Sequence, residues 1–273
     1  MPFTPSHAVI ALPFVRTPLV PAAIAIGAMT PDLPLFLRGA GLPYGFTHSP
    51  ANIVWTTLVA FVLFLIWRVV LRPGLVALAP EFVASRLPEQ WRTTGKAAVS
   101  DAIGSRDRPS YPLLLALSLM IGVLSHIVWD MFTHEGRWGV VSLPVLDEMW
   151  GPLLGYKWLQ YGSSVVGMLI LGVYALLWLR RRPVQPRSRL LPAWVGWVWL
   201  ATLPVVLITA WMIGLAAYGP ITPGFTLQHL AYRTLPLASG LWGALTVLLC
   251  VVIVLLPRRT SAVEVEDSRS YAR

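Results

Sequence analysis

One long apolar stretch of the chain carries ionisable side chains at helical spacing. His126 and Asp130 lie four residues apart within it, and His134 follows four residues later. Each four-residue step turns an α-helix about 40° beyond a full circle, so the three side chains lie along one stripe. Membrane-spanning helices normally exclude such groups, because removing their hydration costs several kcal/mol. Imidazole and carboxylate groups at this spacing are the components of a metal site or a proton-transfer site.

Further short clusters contain the same residue types. They are Ser6-His7, Thr30-Pro31-Asp32, Thr47-His48-Ser49, and Tyr156-Lys157 with Gln160. Histidines and carboxylates together suit zinc or another divalent ion, which binds nitrogen and oxygen ligands at about 2.0–2.2 Å. Such an ion lowers the pKa of its bound water toward about 7. Tyr156 and Lys157 are then candidate catalytic residues that would stabilise an anionic oxygen in the transition state.

The composition is that of an integral membrane protein. Of 273 residues, 56% are hydrophobic and 12% are charged, whereas soluble domains are about 25% charged. The mean hydropathy is +0.67. The net charge of +9 does not indicate nucleic-acid binding, because most arginines flank apolar stretches, where they set topology and contact anionic lipid head groups. We therefore expect membrane lipids as partners, and no nucleic acid.

The cysteine content and the N-terminal segment exclude two further classes of protein. Cys250 is the only cysteine, which excludes a disulfide, a thiolate metal cluster or a redox pair within one chain. We also expect no cleaved signal peptide, because Pro13, Pro18 and Pro21 interrupt the apolar segment before Asp32.

Several stretches are long and apolar enough to cross a bilayer, which takes about 20 residues. They are residues 51–71, 113–133, 161–179, 192–218 and 235–256. The sequence thus predicts an all-α, polytopic membrane protein with five clear transmembrane helices. The first thirty residues leave two alternatives open. They form either a sixth span or a hydrophobic hairpin, and the hairpin would bring His7 and Asp32 to the same face as the other polar groups.

Basic residues alternate between abundant and scarce along the connecting segments. The segments 72–112, 180–191 and 258–273 hold six, five and four Lys or Arg, whereas 135–160 and 219–234 hold two and one. The positive-inside rule therefore places the three basic segments in the cytoplasm and the His/Asp cluster toward the outer face. We predict a cluster-bearing domain at 1–180, two further transmembrane helices at 181–257, and a disordered cytoplasmic tail at 258–273.

The polar motifs together carry a family resemblance. They are Met1-Pro2-Phe3-Thr4-Pro5-Ser6-His7, Gly27-Ala28-Met29-Thr30-Pro31-Asp32, Thr47-His48-Ser49, residues 125–134, and Tyr156-Lys157-Trp158-Leu159-Gln160. Over residues 1–179 the chain resembles the bacterial membrane family called domain of unknown function 4184. This resemblance implies a multi-pass protein of the bacterial plasma membrane, in a family without an established activity.

A more distant resemblance is to domain of unknown function 457, whose members are described as membrane-bound metal-dependent hydrolases. Those proteins also combine an early His, a Pro-Asp, a Thr-His-Ser and a Ser-His-x-x-x-Asp. The resemblance implies a set of metal ligands or their neighbours in this chain. They are His7, Asp32, His48, His126 and Asp130.

The leading hypothesis is a metal-dependent hydrolase acting at the outer face of the membrane on a lipid or lipid-linked ester or phosphoester. In it the five ligands hold one or two divalent ions, and His134 is an accessory ligand or a general base. A first alternative is a transporter or ion-translocating protein, since intramembrane His and Asp also form proton relays. A second is a non-catalytic scaffold in which the polar cluster only holds helices together.

Overall fold

The computed structural model describes residues 3–104, 108–185 and 189–256 and is almost entirely helical. The α-helices are α1 (Pro21–Met29), α2 (Leu33–Phe36), α3 (Tyr44–Thr47), α4 (Ile53–Ile66), α5 (Arg72–Leu78), α6 (Glu81–Ala84), α7 (Gly95–Ile103), α8 (Tyr111–Thr133), α9 (Trp138–Ser142), α10 (Gly155–Arg180), α11 (Ala193–Tyr218) and α12 (Leu227–Leu255). Helices of the 3-10 type cover Thr4–Phe14, Thr30–Asp32, Pro50–Asn52, Glu89–Arg92 and Pro144–Asp147, and a π-helical turn covers Trp67–Leu71. The short strands β1 (Met149–Trp150) and β2 (Leu153–Leu154) pair antiparallel. The predicted tail at 258–273 lies outside the described residues.

Within the described part of the chain, five helices are long and apolar enough to cross a membrane. They are Pro50–Leu78, Tyr111–Thr133, Gly155–Arg180, Ala193–Tyr218 and Leu227–Leu255. Their outer surfaces carry many exposed apolar side chains, such as Val165, Leu169 and Val173 on α10. Such surfaces suit contact with lipid chains, so the predicted class of all-α, multi-pass membrane protein is confirmed.

The first span is longer than predicted. It was expected to end at 71, but α4 continues through the π-helical turn into α5 and ends at Leu78, so the loop predicted at 72–112 starts only after that residue. A proline inside a helix lacks an N–H and its ring collides with a carbonyl of the preceding turn. The widened turn directly before Pro73 accommodates that ring. Gly74 then packs closely against Cys250 of α12.

Helices α10 and α12 begin earlier than predicted, at Gly155 and Leu227 and not at 161 and 235. Their first turns are polar, so hydropathy places their start too late, although backbone hydrogen bonding does not require apolar side chains. In α12, the side chains of Thr226 and His229 form a capping box that satisfies the first backbone groups. As a result Tyr156 and Lys157, which were expected in a loop, lie in the first turn of α10.

The N-terminal segment forms a hairpin, not a sixth span. Its first arm, the 3-10 helix Thr4–Phe14, packs against α1 and α10. At the open end, Thr4 Oγ1 donates a hydrogen bond to Asp32 Oδ2 at 2.6 Å. Toward the bend, the backbone N–H of Val20 donates to Ser118 Oγ in the first half of α8 at 2.9 Å. The hairpin therefore enters beside α8 and returns to the same end of that helix.

The second arm of the hairpin packs on α8 through two glycines. A Cβ atom on Gly122 would lie 2.2 Å from the carbonyl oxygen of Ile24, and one on Gly27 would lie 2.3 Å from that of Leu119. The two backbones are in direct contact, as in small-residue helix pairs of membrane proteins. Around this contact, residues of α1, α4 and α8, including Phe64, form the main apolar core.

Candidate metal centre

Separate segments of the chain bring buried polar side chains to the C-terminal half of α8. The hairpin supplies His7 from one arm and Asp32 from the 3-10 turn after the other. The short helix α3 ends next to His48, and α8 itself carries His126 and Asp130. All five are buried; Asp32 is 1% exposed and His126 is 0% exposed. The structure therefore brings together the five residues that the sequence indicated as ligands or their neighbours.

Four of these residues, Asp32, His48, His126 and Asp130, direct one ligand atom each toward a common point, and we call them the quartet. Their four atoms lie within 4.8 Å of one another. The two histidine Nε2 atoms are 3.2 Å apart. Asp32 Oδ1 lies 3.6 Å from both of them, and Asp130 Oδ2 lies 3.6 Å and 3.4 Å from them. A tetrahedron with edges of about 3.4 Å has its corners about 2.1 Å from its centre, which matches zinc–ligand distances. The quartet thus fits a divalent cation.

Backbone carbonyls orient both histidine rings of the quartet. His126 Nδ1 donates to the carbonyl of Ala28 at 2.7 Å, and His48 Nδ1 donates to that of Tyr44 at 3.0 Å. Since a carbonyl can only accept, each Nδ1 carries a hydrogen, and each neutral ring presents the lone pair of Nε2 to the quartet. Histidine ligands of metals are held in this way by a hydrogen bond at their other nitrogen.

Three side-chain atoms at the site are buried without a hydrogen-bond partner: Asp32 Oδ1, Asp130 Oδ1 and His7 Nε2. Leaving a buried polar atom unpaired costs about 1–3 kcal/mol. With neutral imidazoles, the two carboxylates also give the quartet two negative charges in a buried place, which is costly without a counter-charge. A divalent cation would remove that excess charge and provide a partner for Asp32 Oδ1.

His7 lies beside the quartet. Its ring stacks on that of His126, with centroids 4.0 Å apart, and its Nε2 lies 3.9 Å from Asp130 Oδ1. Burial, and then the neighbouring His126, lower the pKa of His7 to about 4, so this ring is neutral at neutral pH. His7 is therefore a candidate additional ligand or a polar contact for a bound molecule.

The two titratable members of the quartet outside the spans influence each other's ionisation. Burial opposes the charged forms of both Asp32 and His48. The polar contact with His48, whose Nε2 lies 3.6 Å from Asp32 Oδ1, and the nearby His126 outweigh burial and lower the pKa of Asp32. The carboxylates of Asp130 and Asp32, each 3.6 Å from His48 Nε2, likewise outweigh burial and raise the pKa of His48. Without a cation, Asp32 is thus held in its ionised form, and His48 keeps a proton more readily than a free imidazole does.

His134 lies at the edge of the site, just beyond the end of α8. Its Nδ1 is 3.2 Å from the backbone carbonyl of Asp130 and 3.6 Å from Oδ2 of the same residue. Its Nε2 is 3.5 Å from the amide nitrogen of Gln160. Lys157 Nζ donates to Gln160 Oε1 at 3.3 Å, which orients the amide nitrogen toward His134. Burial lowers the pKa of His134.

Tyr156 lies elsewhere. Its ring packs with Val140 and Leu146 in a separate apolar cluster, and Lys157 Nζ lies 5.2 Å from the centre of that ring. Among the described contacts, none joins Tyr156 to the quartet. Lys157 reaches the site only through Gln160 and His134. The catalytic roles suggested for Tyr156 and Lys157 stay predictions.

Two cavities adjoin these residues. The smaller, of about 110 Å³, is lined by His48 and Asp130 of the quartet together with Arg137 and Trp138 of the loop and helix that follow α8. The larger, of about 300 Å³, lies between the first arm of the hairpin, α8 and α10, and reaches His7. The site is thus approached from two sides, one with a cationic side chain and one that is mainly apolar.

Sequence reasoning missed several groups that hold the site. Thr4 bonds Asp32, the ring of Tyr44 stacks on that of His48 at 3.7 Å, and Thr47 Oγ1 donates to the carbonyl of Pro31 at 2.7 Å. Each stands within or next to a recognised motif, and that proximity was the available signal. The carbonyl of Ala28 carries no signal, because every residue has such a group.

The comparisons with known proteins agree with the motifs. A family model described as Domain of unknown function (DUF4184) matches residues 1–256, a longer region than the 1–179 over which the motifs suggested it. No curated protein and no solved structure matches the chain, and the more distant resemblance to membrane-bound metal-dependent hydrolases gains no support from them. Because the matched region contains every polar motif and all five spans, the protein belongs to the family of domain of unknown function 4184.

Proposed function

We propose that this protein is a divalent-metal-dependent hydrolase of the bacterial plasma membrane, with a lipid or lipid-linked ester or phosphoester as its substrate. The arrangement of the quartet carries the proposal. Two imidazole nitrogens and two carboxylate oxygens lie within 4.8 Å of one another, and each of the two nitrogens is 3.2 to 3.6 Å from the other three atoms. A buried pair that only joined helices would have no need for four converging ligand atoms from three segments.

Particular residues of the chain have separate roles in this proposal. Asp32, His48, His126 and Asp130 would hold the ion, with His7 adjacent. When bound, a divalent cation polarises an ester or phosphoester oxygen and makes water a stronger nucleophile at neutral pH.

His134 is the candidate general base. Its Nδ1–H is directed to the carbonyl of Asp130, so Nε2 is the atom that can accept a proton. Its side chain is 19% exposed, more than those of the quartet, so a proton taken up there can leave to solvent. Gln160, oriented by Lys157, holds the Nε2 side of the ring.

The position of the site supports a membrane-bound substrate at the outer face. The quartet lies near the C-terminal end of α8, and the basic residues are concentrated in segments connected to the opposite ends of the spans. The larger cavity beside His7 opens among apolar residues of the spans, where a lipid has direct access.

Metal content is the decisive test. Elemental analysis of detergent-purified protein should find stoichiometric zinc or manganese in the native chain and none in Asp130→Asn, because that substitution removes an anionic ligand. The matched control is Asp147→Asn, the same chemical change at an exposed position, which should keep its metal. Normal metal content in a folded Asp130→Asn protein would contradict the proposal.

The other two hypotheses give different results in the same programme. A metal-loaded native protein would next be tested on lipid esters and phosphoesters. Metal- or proton-dependent flux in proteoliposomes would instead favour a transporter. No metal in the native chain, even after reloading, would remove the hydrolase mechanism and favour the scaffold.

A further inference from the structure

The larger of the two cavities is mainly apolar and reaches His7. It lies between the first arm of the hairpin, α8 and α10, and its volume is about 300 Å³, at the lower end of the range for ligand sites. We call it the hairpin groove. Its aliphatic walls are formed by Val9 and Ile10 of the hairpin and by Val166 and Ile170 of α10.

The polar groups on the α8 and α10 walls of the hairpin groove are satisfied within the protein. Ser125 Oγ donates to the carbonyl of Gly122 at 2.7 Å, and Ser163 Oγ donates to that of Gln160 at 3.3 Å. The indole N–H of Trp129 donates to Ser163 Oγ at 3.2 Å. The surface offered to an occupant is therefore apolar along most of its length.

One end of the hairpin groove differs from the rest. His7 lines it, and the Nε2 atom of His7 is buried without a hydrogen-bond partner and lies 3.9 Å from Asp130 Oδ1. The groove thus leads from an apolar wall to an unpaired polar atom at the edge of the quartet. A molecule with a long apolar part and one polar end would therefore fit the groove.

The groove is open along its side to the surroundings of the spans. Val166 is 53% exposed and Ile170 is 45% exposed, and both lie well inside Gly155–Arg180. Trp129, on the opposite wall, is 38% exposed within Tyr111–Thr133. At that depth in a bilayer the neighbouring molecules are lipid chains. A helix from a second copy, about 10 Å across, is too wide for this volume.

We propose that the hairpin groove binds one acyl chain of a membrane phospholipid and places the ester or phosphate end of that lipid beside His7. The proposal rests on the proposed function for what then happens to the ester or phosphoester. The binding itself needs neither the metal nor the reaction, so the two proposals can fail separately.

The proposal is tested by filling the groove with a bulky side chain from its α10 wall. Val166→Trp places a large ring in it, and Val173→Trp is the matched control, because Val173 is on the same helix, 55% exposed, and outside the groove. Purified proteins would be incubated with dioleoyl phosphatidylglycerol vesicles, extracted in detergent, and examined by native mass spectrometry for retained phospholipid. We expect one retained phospholipid in the native chain and in Val173→Trp, and its loss in Val166→Trp.

Two further measurements distinguish failure of the groove proposal from failure of the hydrolase proposal. Ile170→Trp blocks the same groove from the next turn of α10 and should lose the phospholipid as well, while metal content, measured on the same samples, should be unchanged. Retention of phospholipid in both blocked variants would overturn the groove proposal even if metal is present. Loss of phospholipid in both, with no metal in any sample, would support the groove and refute the hydrolase.

Discussion

At the scale of single residues, His126 and Asp130 show how little of the site one helix contains. They stand one turn apart on α8, and their ligand atoms are 3.4 Å from each other. The other two ligand atoms of the quartet come from Asp32 and His48, which precede α8 by many residues and reach it only through the hairpin and α3. The convergence of the four atoms is therefore a property of the folded chain.

Thr4 provides a test at this scale. Its hydroxyl donates to Asp32 Oδ2 at 2.6 Å, which leaves Oδ1 directed to the quartet. Removing the groups that orient metal ligands typically costs about 10- to 100-fold in metal affinity. We expect Thr4→Val to weaken metal binding by that factor, measured by competition with a fluorescent chelator. Thr17→Val, at the hairpin bend, is the control and should bind as the native chain does. Equal affinity in the two variants would show that Asp32 does not depend on Thr4.

The sequence indicated the candidate ligands because their residue types are rare in apolar surroundings. His126 and Asp130 could be found by spacing alone, and His7, Asp32 and His48 by the motifs around them. Other contacts depend on distances between segments, which the sequence does not specify. They are the hydrogen bond from Thr4 to Asp32, the one from His126 to the carbonyl of Ala28, and the contacts of Gln160 with Lys157 and His134. The position of Tyr156 in an apolar cluster could not be found for the same reason.

At the scale of elements, the contact between α1 and α8 sets the position of the His126 ring, a candidate ligand. Gly27 and Gly122 allow the two backbones to touch, and this brings the carbonyl of Ala28 within 2.7 Å of His126 Nδ1. A larger residue at either position would separate the helices and remove the bond that fixes the ring.

Gly122→Ala tests this dependence. Its Cβ would lie 2.2 Å from the carbonyl oxygen of Ile24, so the helices must move apart; such overpacking costs about 1–3 kcal/mol. We expect a lower Tm in detergent together with weaker metal binding. Gly172→Ala on α10 is the matched control, since its Cβ would meet nothing within 4 Å, and it should change neither quantity. A variant Gly122→Ala with native Tm and affinity would show that the close contact is dispensable.

Hydropathy predicted the number and order of the spans correctly and several of their ends incorrectly. Apolar composition locates the part of a helix that crosses the hydrocarbon. It does not reveal that the helix passes Pro73 by means of a widened turn, or that α10 starts with a polar turn. It also left the hairpin unresolved, because an apolar segment of that length fits either alternative until its partners are known.

At the scale of the whole molecule, the distribution of basic residues predicts which end of the bundle faces outward. Cys250 is the only cysteine and is 0% exposed, so a cysteine introduced at the surface can be labelled without background. We expect Glu135→Cys to react with a membrane-impermeant maleimide in intact cells, and Arg181→Cys to react only after the cells are permeabilised. The reverse labelling pattern would place the quartet at the cytoplasmic end of the bundle.

The hairpin has a consequence for how the protein is made. Its arms leave the ribosome first, yet their main partner, α8, ends at Thr133 and the first arm also packs on α10, which ends at Arg180. Until those helices enter the bilayer, about the first fifty residues lack most of the surface on which they dock and must be kept from other partners. A cation could therefore bind to the quartet only late in biogenesis, after most of the chain has been inserted.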